Sequence, residues 1–97
     1  MRNNYDIREF VDVITIDYIK IELVNRFIKR RKEAKLSQKE LAKRSGVSYG
    51  SIKRFETSGE ISLYSLIRIT RALDIIDEID NLFTHVEYKS IEEIFNE

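Results

Sequence analysis

Cationic and hydrogen-bonding side chains are concentrated between residues 38 and 54 of this 97-residue chain. Lysine and arginine neutralise phosphate oxygens, and arginine, lysine, serine and tyrosine can also contact nucleic-acid bases or sugars. Glycine in such a stretch allows a close approach of the backbone to a ligand. The residues of this set are Gln38, Lys39, Lys43, Arg44, Ser48, Tyr49, Gly50, Ser51, Lys53 and Arg54.

The formal net charge of the chain is zero, but its distribution is uneven. Residues 1–19 contain two basic and four acidic side chains, residues 20–58 contain twelve and four, and residues 59–97 contain three and nine. A basic block between acidic ends is typical of a phosphate-binding face. The alternative is that these lysines and arginines only keep helix surfaces hydrated.

Other kinds of chemistry find little support in the sequence. There is no cysteine, no glycine-rich phosphate loop and no acid–base pair at a convincing spacing. His85 has no companion at ligand spacing, so we expect an ordinary surface residue. We predict no enzyme activity, no cofactor and no metal site. Without a membrane-spanning run or a signal peptide, a cytoplasmic location is expected.

The first of two short helices that would position the cationic residues is predicted to begin after Ser37. Ser37 is a good N-cap residue, and Glu40 three residues later completes a capping box. Gly46 most readily adopts the left-handed conformation that ends a helix. Gln38 and Lys39 therefore belong to the first turn of this helix.

A second helix is predicted after Ser48, ending at residues 57–59. Ile52 and Phe55 share one face and should be buried, whereas Lys53 and Arg54 project elsewhere. Two short helices joined by a glycine-containing turn form a helix-turn-helix unit, whose second helix can enter the major groove of DNA.

This stretch resembles the DNA-binding domain of the Cro/cI repressor type, also called the xenobiotic response element (XRE) family. The resemblance extends over about residues 23–76. It implies an all-α, five-helix lambda-repressor-like fold and a transcriptional regulator that binds specific DNA. The matching residues are Arg31, Gln38, Leu41, Ala42, Gly46, Val47, Ser48, Ile52, Phe55, Glu56 and Gly59.

The resemblance also implies roles for individual residues. Gln38 would bond a phosphate with its side chain, and Arg31 would form a structural ion pair with Glu56. We interpret Tyr49, Lys53 and Arg54 as base contacts, although Tyr49 could instead pack on a sugar or a neighbouring chain and Lys53 could contact only phosphate. The candidate phosphate contacts beside Gln38 are Lys39, Lys43 and Arg44.

The chain before the basic block is rich in valine and isoleucine over residues 10–16. We predict a short strand there, in preference to an apolar lead-in to the first helix. This segment would either cover the core or contact a second copy of the chain. A helix is then predicted over residues 18–34, with Asp17 as N-cap and a core face of Leu23, Val24, Phe27 and Ile28. Lys35 stands where the family often has glycine, and a left-handed lysine would cost about 1 kcal/mol.

The sequence pattern after the basic block predicts two more helices, over residues 63–73 and about 75–83. Ser62 would cap the first, with a core stripe of Leu63, Leu66, Ile67, Thr70 and Leu73. Residues 84–88 alternate and could form a second short strand. Ser90 and Glu93 make a capping box for a short acidic C-terminal helix, with Ile91, Ile94 and Phe95 on one side.

We therefore expect an N-terminal extension (1–17), a helix-turn-helix domain (18–83) and an acidic C-terminal extension (84–97). The predicted function is a dimeric repressor that binds operator DNA. The small size also resembles HipB-like antitoxins, which accompany HipA-type kinase toxins and repress their own operon, and the C-terminal segment would then contact the toxin. The alternative is a protein-interaction module that has this fold without binding DNA.

Overall fold

A computed structural model of the protein describes the backbone of residues 7–86 and the side chains of residues 16–86. Over these residues the chain forms five helices and no strand, which confirms the expected all-α, five-helix fold. The helices are α1 (Ile7–Glu33), α2 (Gln38–Ser45), α3 (Tyr49–Ser58), α4 (Leu63–Ala72) and α5 (Ile76–Asp80). None of the described helices is long and apolar enough to cross a bilayer.

The predicted strand over residues 10–16 is wrong, because α1 begins at Ile7. Asp17 consequently lies inside α1 and is not its N-cap, and the expected boundary between extension and domain falls within one helix. Valine and isoleucine lose only a few tenths of a kcal/mol each in a helix. Extending a helix that is already nucleated adds one hydrogen bond per residue, whereas a strand here has no partner strand among the described residues.

The end of α1 shows how the chain turns without the glycine that the family often has. The Lys35 N–H donates to the Lys32 carbonyl (2.9 Å) and the Leu36 N–H donates to the Arg31 carbonyl (3.3 Å). This is the Schellman pattern, which requires a left-handed residue before the last donor. Lys35 adopts this left-handed conformation with φ 61°. The turn is therefore strained at Lys35, and it places the next residue, Leu36, in the core.

The core lies where α2, α3 and α4 meet. Leu41, Ile52 and Ile69 are fully buried, one from each helix. The second half of α1 closes this core, and the rings of Phe27 and Phe55 meet edge to face with centroids 5.2 Å apart, an arrangement that aromatic pairs favour.

Two predicted core residues are in fact exposed. Leu23 lies about 100° around α1 from the buried Val24 and about 40° from the buried Phe27, so it lies at the edge of the side that faces the core. Leu63 begins α4, whose buried residues Ile69 and Thr70 lie two turns later, where α4 packs on α2. Helical periodicity alone therefore marked a wider apolar face than the neighbouring helices cover.

The C-terminal part of the fold is shorter than predicted. The fifth helix ends at Asp80 instead of Phe83, and Leu82 and Phe83 are exposed. Residues 84–86 form no strand. Residues 87–88, which complete that predicted strand, and the predicted helix after Ser90 lie outside the described residues.

We expect Lys35→Gly to stabilise the protein by about 0.5–1 kcal/mol. Glycine removes the left-handed strain of 1–2 kcal/mol, and its greater freedom in the unfolded chain offsets part of that gain. Urea unfolding followed by circular dichroism measures the difference. Ala34→Gly, one residue earlier, is the control and should not stabilise. Equal or lower stability of Lys35→Gly would contradict this account of the turn.

Candidate nucleic-acid interface

The start of α2 is fixed by a complete capping box. The Glu40 N–H donates to the Ser37 hydroxyl (3.0 Å), and the Ser37 N–H donates to the Glu40 carboxylate (2.8 Å). The Ser37 backbone bond holds the pKa of Glu40 below its ordinary value of 4.5. Because the folded-state pKa is the lower one, this carboxylate contributes stability above the ordinary pKa and loses it as the pH falls. The cap sets the position of Gln38 and Lys39 in the first turn.

The turn between α2 and α3 is held from both sides. Gly46 takes the left-handed conformation with φ 76°, and a Cβ there would collide with the guanidinium of Arg68. The Val47 N–H donates to the Ser45 hydroxyl (3.0 Å), and Arg68 Nε donates to the Ser45 carbonyl (3.1 Å). The angle between α2 and α3 is therefore set jointly by the turn and by α4.

The outward face of α3 is defined by which residues face inward. Ile52 and Phe55 are buried, and the carboxylate of Glu56, the only acidic residue of α3, is 5% exposed. At Gly50 a Cβ would meet nothing within 4 Å, so the helix has an open notch at that point. The exposed residues of the first two turns are Tyr49, Gly50, Ser51, Lys53 and Arg54.

Tyr49 brings cations from both helices together. The ammonium group of Lys39, from the first turn of α2, lies 5.3 Å from the centroid of the Tyr49 ring. The ammonium group of Lys53, one turn later on α3, lies 5.2 Å from the same centroid. Both distances allow cation–π attraction, worth about 0.5–1 kcal/mol at an exposed site. The first turns of the two helices thus form one positively charged cluster.

A buried carboxylate joins α1, α2 and α3 beneath this face. Glu56 accepts two bonds from Arg31, from Nε (2.7 Å) and from Nη2 (2.9 Å), while Arg31 Nη1 donates to the Leu36 carbonyl (2.9 Å). The Gln38 amide also donates to Glu56, over 2.7 Å. A side-chain amide has two N–H donors, so Gln38 can satisfy Glu56 and still donate outward.

The remaining predicted residues lie around this centre. Lys43 shares a face of α2 with Lys39, one turn away, while Arg44 lies about 100° further round the helix. Ser48 caps α3, and its hydroxyl donates to the Ser51 hydroxyl (2.8 Å). The structure therefore brings Lys39, Tyr49 and Lys53 together most closely.

Sequence reasoning missed a polar groove beside Arg54. The groove has a volume of about 320 Å³ and is open to solvent. Arg54 and Ser51 line it from α3, and Ser62 and Ser65 line it from the N-terminal turn of α4. The only sequence signal was the capping pattern at Ser62, because the proximity of α3 to the start of α4 is a tertiary feature.

Among the side chains of residues 16–86, no group of three or more histidine, aspartate and glutamate residues could hold a metal ion.

Comparison with protein families identifies the domain that carries the exposed basic face. A family model described as helix-turn-helix matches residues 28–78. The chain belongs to the XRE-type helix-turn-helix family.

The match extends from the last turns of α1 into α5 and takes in just over half of the chain. It confirms the predicted Cro/cI-type domain. Members of this helix-turn-helix family are DNA-binding transcription regulators. Neither the comparison with curated proteins nor the comparison with solved structures gives a significant match.

We expect Glu56→Ala to destabilise the protein by about 3–5 kcal/mol, because it leaves the guanidinium of Arg31 buried without its partner. Urea unfolding measures the loss. Glu60→Ala is the matched control: Glu60 also pairs with a cation, Lys20 (3.0 Å), but on the surface, where water screens the pair. Similar losses for the two variants would contradict a structural role for the buried pair.

Proposed function

We propose that this protein is a sequence-specific, dimeric repressor that binds DNA with α2 on the phosphate backbone and α3 in the major groove. The observation that carries the proposal is the charge of α3. Its single carboxylate is buried and paired with Arg31, so the exposed side of the helix offers only cationic and neutral groups. Such a face suits a polyanion with readable base edges.

The proposal divides the cationic residues by their place on the face. Lys39 and Lys43 lie on one side of α2 and would neutralise phosphates, together with Arg44. Gln38 would use its remaining N–H on a phosphate at the positive N-terminal end of α2. Tyr49, Lys53 and Arg54 project from α3, where arginine and lysine favour the O6 and N7 atoms of guanine.

Binding as a dimer follows from the size of the unit. A single small DNA-binding module buries about 600–1,000 Å² of protein surface, which is at the low end for specific complexes. Two copies related by a twofold axis would contact half-sites about one helical turn, or 34–36 Å, apart.

We extend the proposal to autoregulation as an antitoxin. The chain combines one small DNA-binding domain with an acidic C-terminal segment that contains Ile91, Ile94 and Phe95. These residues lie outside the described part of the chain, and the support for a toxin contact there is their amphipathic sequence pattern and the resemblance to HipB-like antitoxins. The expected ligand is then the DNA upstream of the protein's own gene.

Fluorescence anisotropy with that upstream DNA tests the proposal, with scrambled DNA of equal length as control. We expect tighter binding to the upstream DNA and a strong salt dependence. A dimer that neutralises about six phosphates should lose roughly a thousandfold in affinity between 50 and 200 mM salt. Binding that ignores both sequence and salt would contradict the proposal, and a pull-down that yields protein without DNA would favour the interaction module.

Arg54→Ala and Lys39→Ala separate base contacts from phosphate contacts. We expect Arg54→Ala to weaken binding to the upstream DNA by about 1–3 kcal/mol for each half-site and binding to scrambled DNA by less. Lys39→Ala should weaken both equally and reduce the slope of log K against log salt by about 2, because a dimer loses two phosphate contacts. An equal loss on both DNAs for Arg54→Ala would reassign Arg54 to phosphate.

A further inference from the structure

The middle of α1 exposes an unusual amount of apolar surface. Five of the eight residues from 16 to 23 are large apolar or aromatic residues with exposed fractions between 47% and 77%. Two of the five, Tyr18 and Ile21, lie on the opposite side of the helix from the other three. Exposed apolar side chains that are contiguous on a small domain mark an interaction surface more often than isolated ones do. The five residues are Ile16, Tyr18, Ile19, Ile21 and Leu23.

Three of these residues form a stripe suited to a helical partner. Ile16, Ile19 and Leu23 are separated by three and then four residues, the spacing of successive contact positions in a coiled coil. At 100° per residue they fall within an arc of about 60° on one side of α1. The buried residues Phe27 and Val24 lie about 20° and 80° round α1 from Ile16, on the side away from Ile19, and pack in the core with α3. The stripe therefore borders the core side of α1 but is itself exposed.

The charge distribution along α1 favours an identical helix in the opposite direction. Residues 7–19 contain one basic and three acidic residues, whereas residues 20–33 contain six basic and two acidic residues. One of the six, Arg31, is buried and paired with Glu56, so five basic residues of this half remain for a partner. Antiparallel pairing of two α1 helices brings the acidic half of each against the basic half of the other. It also opposes the helix dipoles favourably, while parallel pairing would bring like charges together.

We propose that a second copy of this chain covers the stripe, with the two α1 helices antiparallel and the twofold axis near Ile19. An interface of this kind is self-complementary, because Ile16 of each copy meets Leu23 of the other. The inference specifies the dimer of the proposed function, but it does not depend on DNA binding. It leaves the outward face of α3 free, since α3 packs on α1 through the opposite side, with Phe55 and Glu56.

Single cysteines test the direction of pairing directly, because the chain has no cysteine of its own. Equal amounts of Ile16→Cys and Leu23→Cys protein are mixed, oxidised and digested with trypsin, which separates the two positions at Lys20. We expect the mixed disulfide between residues 16 and 23 to exceed both like-with-like disulfides severalfold. Leu63→Cys, which is equally exposed but lies on α4, is the control and should not cross-link efficiently. A majority of like-with-like products, or no cross-link above the control, would overturn the proposal.

Light scattering on cysteine-free protein tests the interface itself. We expect the unmodified chain to have twice its mass of 11.5 kDa and Ile19→Glu to raise the dimer dissociation constant at least tenfold. Leu63→Glu is the matched control and should remain dimeric. Circular dichroism should show that both variants are folded, because both positions are exposed. A monomeric unmodified chain, or Ile19→Glu that stays fully dimeric, would overturn the proposal.

These measurements contain no DNA, so they separate the two proposals. A dimer that dissociates on Ile19→Glu but ignores upstream DNA supports the α1 interface and contradicts the repressor. Salt-sensitive, sequence-preferring binding by a chain that stays dimeric on Ile19→Glu supports the repressor and overturns the α1 interface.

Discussion

The buried carboxylate of Glu56 is the constraint on which the rest of this domain depends. A charge with 5% exposure is tolerated only when it is paired and fully hydrogen-bonded. Arg31 from α1 and Gln38 from α2 meet that requirement, so three helices converge on one group. The same arrangement removes the only negative charge of α3 from its surface. The contacts of Glu56 with Arg31 and Gln38 thus join the three helices and also leave the exposed face of α3 without a negative charge.

Local sequence devices then set the geometry that surrounds this pair. Serine caps begin α2, α3 and α4, and left-handed glycines end α2 and α3. Arg68 adds a tertiary bond to the turn after α2. Since each device fixes only a few backbone groups, the orientation of α3 depends on all of them together with the buried pair. This combination places Lys39 within reach of the Tyr49 ring.

The sequence was most informative where neighbouring residues decide the structure. The bounds of α2 and α3 were predictable because, for each helix, a cap, a glycine and an apolar face lie close together in the sequence. The start of α1 was not, because the β-branched residues of 10–16 favour a strand locally while the helix that follows extends through them. The exposure of Leu23 and Leu63 depends on which part of each helix its neighbours cover, and the proximity of Arg54 to Ser62 depends on how α3 and α4 pack together. The hydrophobic periodicity of a single helix contains no information about either of these tertiary features.

Nuclear magnetic resonance titration of the labelled protein with its upstream DNA tests the central claim most directly, because it reports on every backbone amide at once. We expect the largest shifts at the first turn of α2 and along the outward face of α3, around Gln38, Lys39, Tyr49, Gly50 and Arg54. Amides of residues 16–23 in α1 should change little. Shifts centred on α1 or α5, or no shifts at saturating DNA, would contradict the claim that the face above Glu56 binds DNA.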